Sequence, residues 1–299
     1  MNLAIEIGGT KLQIGIGGNA NDSLDEVYRF DVDRSKGAQG ILQTIETTIN
    51  SFAATPHNIA VGYGGPINRK TGVIATSHQI DGWSGFDLRG WFLQRYNAEI
   101  YIENDANVAA LGEAIYGAGA EYDKIFYITL GSGIGGGMVV GKELYFGNTP
   151  GESEIGLIKL RNGEASLESL CSGWALNKVI RKAIELNPNS KLATLIGDST
   201  DHEAKYLREA IELKDDLALE IFEEYCDVLA YGLSFVVHLF NPEVIVIGGG
   251  VSLIGDILVQ TLSEKLPKYI STTYHPGPEI KLSVLGEQVV LIGALSLIS

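Results

Sequence analysis

Three apolar, strand-like runs each end in a glycine cluster. Leu3 to Ile7 precedes Gly8-Gly9-Thr10, Lys124 to Leu130 precedes Gly131-Ser132-Gly133-Ile134-Gly135-Gly136-Gly137, and Val244 to Ile247 precedes Gly248-Gly249-Gly250. Glycine lets backbone N–H groups approach phosphate oxygens, and ligands of α/β sheets collect at such strand ends. A purely structural turn is the other reading of each cluster. Glu103-Asn104-Asp105 lies where a short strand, Ile100 to Ile102, turns into a helix from Ala106 to Tyr116. Polar side chains project from such a place toward a ligand, although N-capping by Asn104 or Asp105 explains the same residues. Glu154 and Glu168 are further acidic candidates, with an ordinary surface role as their alternative. Phosphoryl transfer to an alcohol needs phosphate cradles, a divalent cation and a carboxylate that accepts the hydroxyl proton. These residues meet that list.

Other nucleotide motifs fit less well. Gly131-x-Gly133-x-x-Gly136 has the dinucleotide spacing, but that fingerprint requires a helix to open at once, and the chain continues as Met138-Val139-Val140 with a turn at Gly141. Hydride transfer to a nicotinamide therefore loses ground. No G-x-x-x-x-G-K-[ST] string occurs.

The positioning elements follow from periodicity. Leu3–Ile7 and Leu12–Ile16 read as a hairpin around the first glycine turn. Ile41, Leu42, Ile45, Ile49 and Phe52 recur near the helical period, and Ile59 to Tyr63 is a buried strand that stops at Gly64-Gly65-Pro66. Glu168 to Glu185 and Leu217 to Phe240 are helical, the latter ended by Asn241-Pro242. A helix from about Ser252 to Leu266, a strand at Leu282–Leu285 and a closing helix at Val289–Ile298 complete the α/β alternation. The segments around Gly8 and Gly133 share one plan, strand, glycine turn with a hydroxyl residue, strand. That weak repeat suggests a duplicated domain with a cleft between its halves.

At 299 residues the length suggests two domains. The 37 glycines follow no three-residue period, and 45% apolar with 20% charged residues excludes disorder as the main state. A net charge of -15 with no basic run argues against nucleic acid and anionic lipid. Two cysteines, Cys171 and Cys226, are too few for a disulfide framework or a four-cysteine zinc site. With no span of about 20 apolar residues and no basic segment before the first apolar run, a cytoplasmic protein without membrane contacts is expected.

Taken in order, these segments resemble the ROK sugar kinases and repressors, within the actin-like, hexokinase-like ATPase superfamily. Ile5-Glu6-Ile7-Gly8-Gly9-Thr10-Lys11 resembles the family's first phosphate motif and Thr129 to Gly137 its second. Gly62-Tyr63-Gly64-Gly65-Pro66-Ile67, Gly72-Val73-Ile74 and Gly82-Trp83-Ser84-Gly85 resemble its sugar-side loops. Glu103 to Glu113 resembles its catalytic segment, Asn241 to Gly250 its adenosine motif, and Leu291-Ile292-Gly293-Ala294 its closing helix.

The resemblance implies a two-domain α/β fold of the ribonuclease H-like type with an interdomain cleft, divided into residues 1–112 plus 289–299 and residues 113–288. It implies ATP-dependent phosphorylation of a glucose-like hexose, usually at C6, with Asp105 as general base. Gly64, Gly65, Gln79, Asn104, Glu154, Glu168 and, as a compensating ligand, His78 would contact the sugar. Gly8, Gly9, Thr10, Lys11, Gly131, Ser132 and Gly133 would hold the ATP phosphates, and Gly249 and Gly250 would lie against the nucleoside. Glu6 would make an indirect contact to Mg2+. A homodimer is implied as well.

Four departures separate the chain from the family pattern. Glu6 replaces the usual Asp. Leu157 replaces the histidine of E-x-G-H in Glu154-Ile155-Gly156-Leu157, so a sugar contact and zinc ligand is lost. Leu157 to Glu168 contains no cysteine, and no structural zinc is expected. Ser77-His78-Gln79 stands where Ser-Pro-Asn is common. These changes keep a second function open, a sugar-binding regulator with weakened turnover. A repressor of the usual family type is not expected, because the phosphate motif opens the chain with no helix-turn-helix before it.

Overall fold

In the computed structural model, which describes residues 1–17, 23–77, 80–148, 151, 153–200 and 202–298, the two glycine-turn segments lie on two separate five-stranded sheets. The first sheet runs in the order Leu24–Asp31, Lys11–Gly17, Asn2–Ile7, Asn58–Tyr63, Glu99–Asn104. Its first three strands pair antiparallel and its last three pair parallel. The second sheet runs Glu143–Leu144, Ile134–Val140, Lys124–Leu130, Val244–Gly248, Glu279–Leu282, and its last three strands are parallel. Each sheet therefore carries a strand pair flanking a glycine turn, followed by parallel strands, as the repeat in the sequence suggests.

The chain divides into two compact units. One comprises Met1–Glu121, Gly137–Ser153 and Leu285–Ser299, the other Tyr122–Gly136 and Glu154–Val284. No helix among the described residues is long and apolar enough to cross a membrane.

Alternation along Asn2–Ile7 builds the first unit in two layers. Leu3, Ile5 and Ile7 point to one face, where they pack with Ile41, Leu42, Ile45 and Ile49 of the helix Gly37–Asn50 and with Trp83 and Phe92. Ala4 points to the other face and joins Ala60, Leu291, Ala294 and Leu295. The small side chains let the final helix, Val289–Leu295, come close. A Cβ on Gly293 would stand 1.7 Å from the Val108 carbonyl oxygen and one on Gly112 3.0 Å from that of Val289, so the helices Asp105–Tyr116 and Val289–Leu295 cross backbone to backbone.

In the second unit the helix Asp216–Phe240 is capped by the Asp215 carboxylate on Ala218 N–H and ends at Asn241, whose φ of 44° is left-handed. The helix expected over Glu168–Glu185 is two, Leu167–Cys171 and Gly173–Leu186. Ser172 between them is extended, and its hydroxyl caps the second by accepting from Ala175 N–H. The helix expected from Ser252 starts at Asp256, after a 3-10 segment Gly250–Ile254 that Gly255 closes at φ 89°. The last strand is Glu279–Leu282 rather than Leu282–Leu285, because its parallel register with Val244–Ile247 ends at Leu282. The strand Leu24–Asp31 is additional, an edge strand whose charged residues face solvent.

Candidate active site

Three parallel strands of the first unit end level with one another. Ile7 pairs with Tyr63, and Tyr63 with Asn104, so Gly8-Gly9-Thr10, Gly64-Gly65 and Asp105 all emerge at the carboxyl edge of the sheet. The Gly8 N–H donates to the Lys11 carbonyl at 2.9 Å and that of Gly64 to the Ile7 carbonyl at 2.8 Å. A Cβ on Gly64 would lie 3.1 Å from Asp105 Oδ2, 3.3 Å from the Ile7 oxygen and 3.4 Å from Gly8 Cα. Gly8, Gly64 and Asp105 are thus brought together, in a space that a side chain at position 64 would crowd.

Asp105 opens its helix and is half-buried. Its Oδ1 accepts from Ala106 N–H at 2.8 Å. Asn104 is the cap, its Oδ1 accepting from the N–H groups of Ala106 and Asn107 at 2.9 and 3.2 Å, while Nδ2 donates to the Gly65 carbonyl at 3.3 Å. Capping is therefore the work of Asn104, and it leaves Oδ2 of Asp105 beside Gly64. Buried Glu103 steadies the turn, because its Oε1 accepts from Asn104 N–H and Asn107 Nδ2.

Two more side chains at this edge, Tyr63 and Arg34, carry no signal in sequence spacing, and Glu6, expected near Mg2+, lies beside them. Tyr63 is buried, which pushes its phenol up to about 12, with the charge of Asp105 adding to the rise and a bond to Ser77 opposing it. Arg34 donates from Nε to the Gly9 carbonyl at 3.0 Å and so ties the glycine turn. Glu6 faces Lys11, Oε2 to Nζ 3.0 Å, and burial raises its carboxyl above the ordinary value despite that cation. A metal ion approaching Glu6 would compete with Lys11.

The second unit presents a similar edge. Gly248 pairs with Thr129, placing the Gly131–Gly133 turn beside Gly249. Gly131 N–H donates to the Gly133 carbonyl at 3.0 Å. Gly249 has φ 82°, and a Cβ there would lie 2.6 Å from the Leu130 carbonyl carbon, so only glycine fits. Around Gly250 nothing stands within 4 Å of that position. Ser132 is exposed.

Of the two acidic candidates of this unit, Glu168 binds Ile134 directly, and Glu154 precedes a turn that packs on the same residue. Glu168 Oε2 accepts from Ile134 N–H at 2.8 Å and would meet a Cβ on Gly133 at 2.6 Å. Glu154 precedes the 3-10 turn Ile155–Leu157, in which Gly156 packs on Ile134, a Cβ there lying 2.3 Å from the Ile134 oxygen. Leu157, at the position of the family's histidine, is 61% exposed. His78 and Gln79 lie outside the described residues. Among the described residues no group of three or more His, Cys, Asp or Glu side chains could hold a metal ion.

Comparison with known proteins gives one family. The sequence profile of the ROK family matches residues 2–299. A glucokinase of Thermotoga maritima is 31% identical, the alignment covering 99% of this chain and 96% of that one. A ROK family glucokinase from Streptomyces griseus, solved in complex with glucose and AMPPNP, superposes with a TM-score of 0.86 at 27% identity over 99% of this chain and 98% of its own. A xylose repressor of Caldicellulosiruptor bescii is 23% identical over 99% of this chain and 77% of that one.

Proposed function

The chain belongs to the ROK family of hexokinase-like proteins, and from that premise we propose that it is a kinase transferring the γ-phosphoryl group of ATP to the C6 hydroxyl of a hexose. Glucose is the first substrate to test, given the glucokinases among its relatives. The observation that carries the reading is the meeting of Gly8, Gly64 and Asp105 at the ends of aligned parallel strands.

Asp105 accepts the proton of the sugar hydroxyl as the oxygen attacks the γ-phosphorus. The bond from that phosphorus to the bridging oxygen breaks and ADP leaves. The substrate is MgATP. The nucleotide's own phosphates and water supply most ligands of such an ion, which fits a protein whose nearest carboxylate, Glu6, is already paired with Lys11. Backbone N–H groups of Gly8 to Lys11 and of Gly131 to Gly133 cradle the phosphates, and Gly249 and Gly250 flank the nucleoside. Gly64, Gly65 and Asn104 border the sugar. Glu154 and Glu168 grip its ring, Glu168 holding the glycine turn with one oxygen and offering the other, while His78 and Gln79 complete the sugar side. The reading includes a cytoplasmic homodimer, for which sedimentation gives the stoichiometry.

Coupled ADP release over a panel of hexoses tests the assignment, with glucose expected to support turnover. If no sugar turns over while one binds and stabilises the fold, the protein is instead a sugar-sensing regulator. The xylose repressor relative and the exposed Leu157 favour that second reading.

A further inference from the structure

The turn Gly8-Gly9-Thr10 is gripped from outside its own hairpin by the stretch that follows the edge strand Leu24–Asp31. Val32 N–H donates to the Thr10 carbonyl at 2.9 Å, and two residues later Arg34 Nε donates to the Gly9 carbonyl at 3.0 Å. A trans peptide is planar, with its N–H opposite its carbonyl. By holding the Gly9 oxygen, Arg34 therefore fixes where the Thr10 N–H points, which is away from the guanidinium. Among the described residues no group accepts from the N–H of Gly9 or of Thr10, and Thr10 is exposed.

The stretch bearing Arg34 is braced at both ends. Asp33 Oδ1 accepts from Ser35 N–H at 3.1 Å and from Ser35 Oγ at 2.6 Å, and Lys36 N–H donates to the Asp33 carbonyl at 3.1 Å. Beyond it Ala38 N–H donates to the Asp81 carbonyl at 2.8 Å, and a Cβ on Gly37, at φ 56°, would stand 2.9 Å from that oxygen. One end thus rests on the glycine turn and the other on the loop that leads into Gly82-Trp83-Ser84-Gly85. The neighbouring cation, Lys11, is drawn to Glu6 at 3.0 Å. Arg34 is the cation bound to the backbone of the turn. A positive group on a carbonyl polarises the whole peptide, which makes the N–H at its far end a stronger donor.

We propose that Arg34 is a positioning residue for phosphate: through the Gly9 carbonyl it aims and polarises the Thr10 N–H toward a phosphate oxygen of the nucleotide, without touching the nucleotide itself. The inference rests on the kinase reading above, which lays the phosphate chain on this turn. Backbone N–H groups that converge from a fixed turn make an anion site, and on a chain of net charge -15 a site for phosphate gains from a cation held close behind it.

Inorganic tripolyphosphate and ADP are the probes. Arg34 is exposed and its side chain takes no part in the Asp33–Ser35 bonds, so Arg34→Ala should keep the thermal midpoint of the parent. In the ligand-free, 15N-labelled protein the Thr10 amide proton is expected to move upfield in Arg34→Ala and to return toward its parent position in Arg34→Lys, which keeps a cationic donor. Affinity for tripolyphosphate and for ADP should fall about tenfold in Arg34→Ala, the lower end of what a hydrogen bond to a charged group is worth. KM for ATP rises alike, KM for the sugar is unaltered, and Arg34→Lys recovers most of the loss. The role is overturned if tripolyphosphate affinity is unchanged in Arg34→Ala. It is equally overturned if that affinity falls while the Thr10 resonance of the free protein stays in place, since Arg34 would then meet the phosphate directly. In both cases the kinase reading survives. If the parent protein binds neither probe and phosphorylates no hexose, both readings fail together.

Discussion

Asp105 Oδ2 lies 3.1 Å from where a Cβ of Gly64 would be. The proposed base and the sugar-side loop are therefore neighbours, and a methyl group added at Gly64 would press on the carboxylate.

Gly64→Ala pushes the Asp105 carboxylate off its position, since the Ile7 carbonyl and Gly8 Cα close the other sides. A misplacement of 1 Å costs about 10²-fold in rate, and the few tenths of an ångström forced here cost less, about tenfold. We expect kcat to fall on that scale while circular dichroism and thermal midpoint stay near those of the parent. Unchanged turnover would show that the carboxylate does not work from this place.

Asp105→Asn keeps a hydrogen-bonding side chain but cannot take a proton. Phosphorylation is expected to drop by about 10²–10⁴-fold, with sugar affinity changed only modestly. The variant also has an independent readout. Because the Asp105 charge contributes to holding the Tyr63 phenol up at about 12, its removal moves the alkaline absorbance titration of Tyr63 to lower pH. Near-normal turnover in this variant would remove Asp105 from the mechanism.

Glu168→Ala leaves Ile134 N–H without the carboxylate that accepts it. The loss of one charge-assisted bond, about 1.5–3 kcal/mol, should appear in chemical unfolding, together with weaker sugar binding. Glu168→Gln retains an acceptor and should recover most of the stability but not the sugar affinity. Sugar affinity intact in both variants would confine Glu168 to anchoring the glycine turn.

Glu6 provides a pH test. Burial raises its carboxyl above the ordinary 4.5, and Lys11 only partly offsets that rise. A carboxyl raised in the folded state contributes stability fully present below 4.5 and lost as pH rises through its folded-state value. Thermal midpoints of the parent should therefore decline across that window more steeply than those of Glu6→Gln, which has no proton to lose. Parallel curves would show that the Lys11 pair governs the site.

Much of this was legible in the sequence because apolar runs stop where glycines begin. Asn2–Ile7, Lys124–Leu130 and Val244–Gly248 are buried on both faces, and inside their apolar runs only Glu6 and Thr129 are polar. The edge strand Leu24–Asp31 exposes Asp25, Glu26, Val27 and Arg29, so neither an apolar run nor clean alternation marks it. The break at Ser172 hides inside a continuous helical period, since what extends that residue is a bond from Gly173 to Gly131, more than forty positions earlier. Arg34 and Tyr63 likewise acquire their places from distant backbone that no local pattern encodes.

The closing helix completes a layer begun by the first strand, with Leu291, Ala294 and Leu295 against Ala4 and Ala60. During synthesis on the ribosome that surface stays bare until the helix Val289–Leu295 leaves the exit tunnel. The first unit therefore cannot finish folding ahead of the second, and a nascent chain arrested before Val289 exposes an apolar seam to chaperones and proteases.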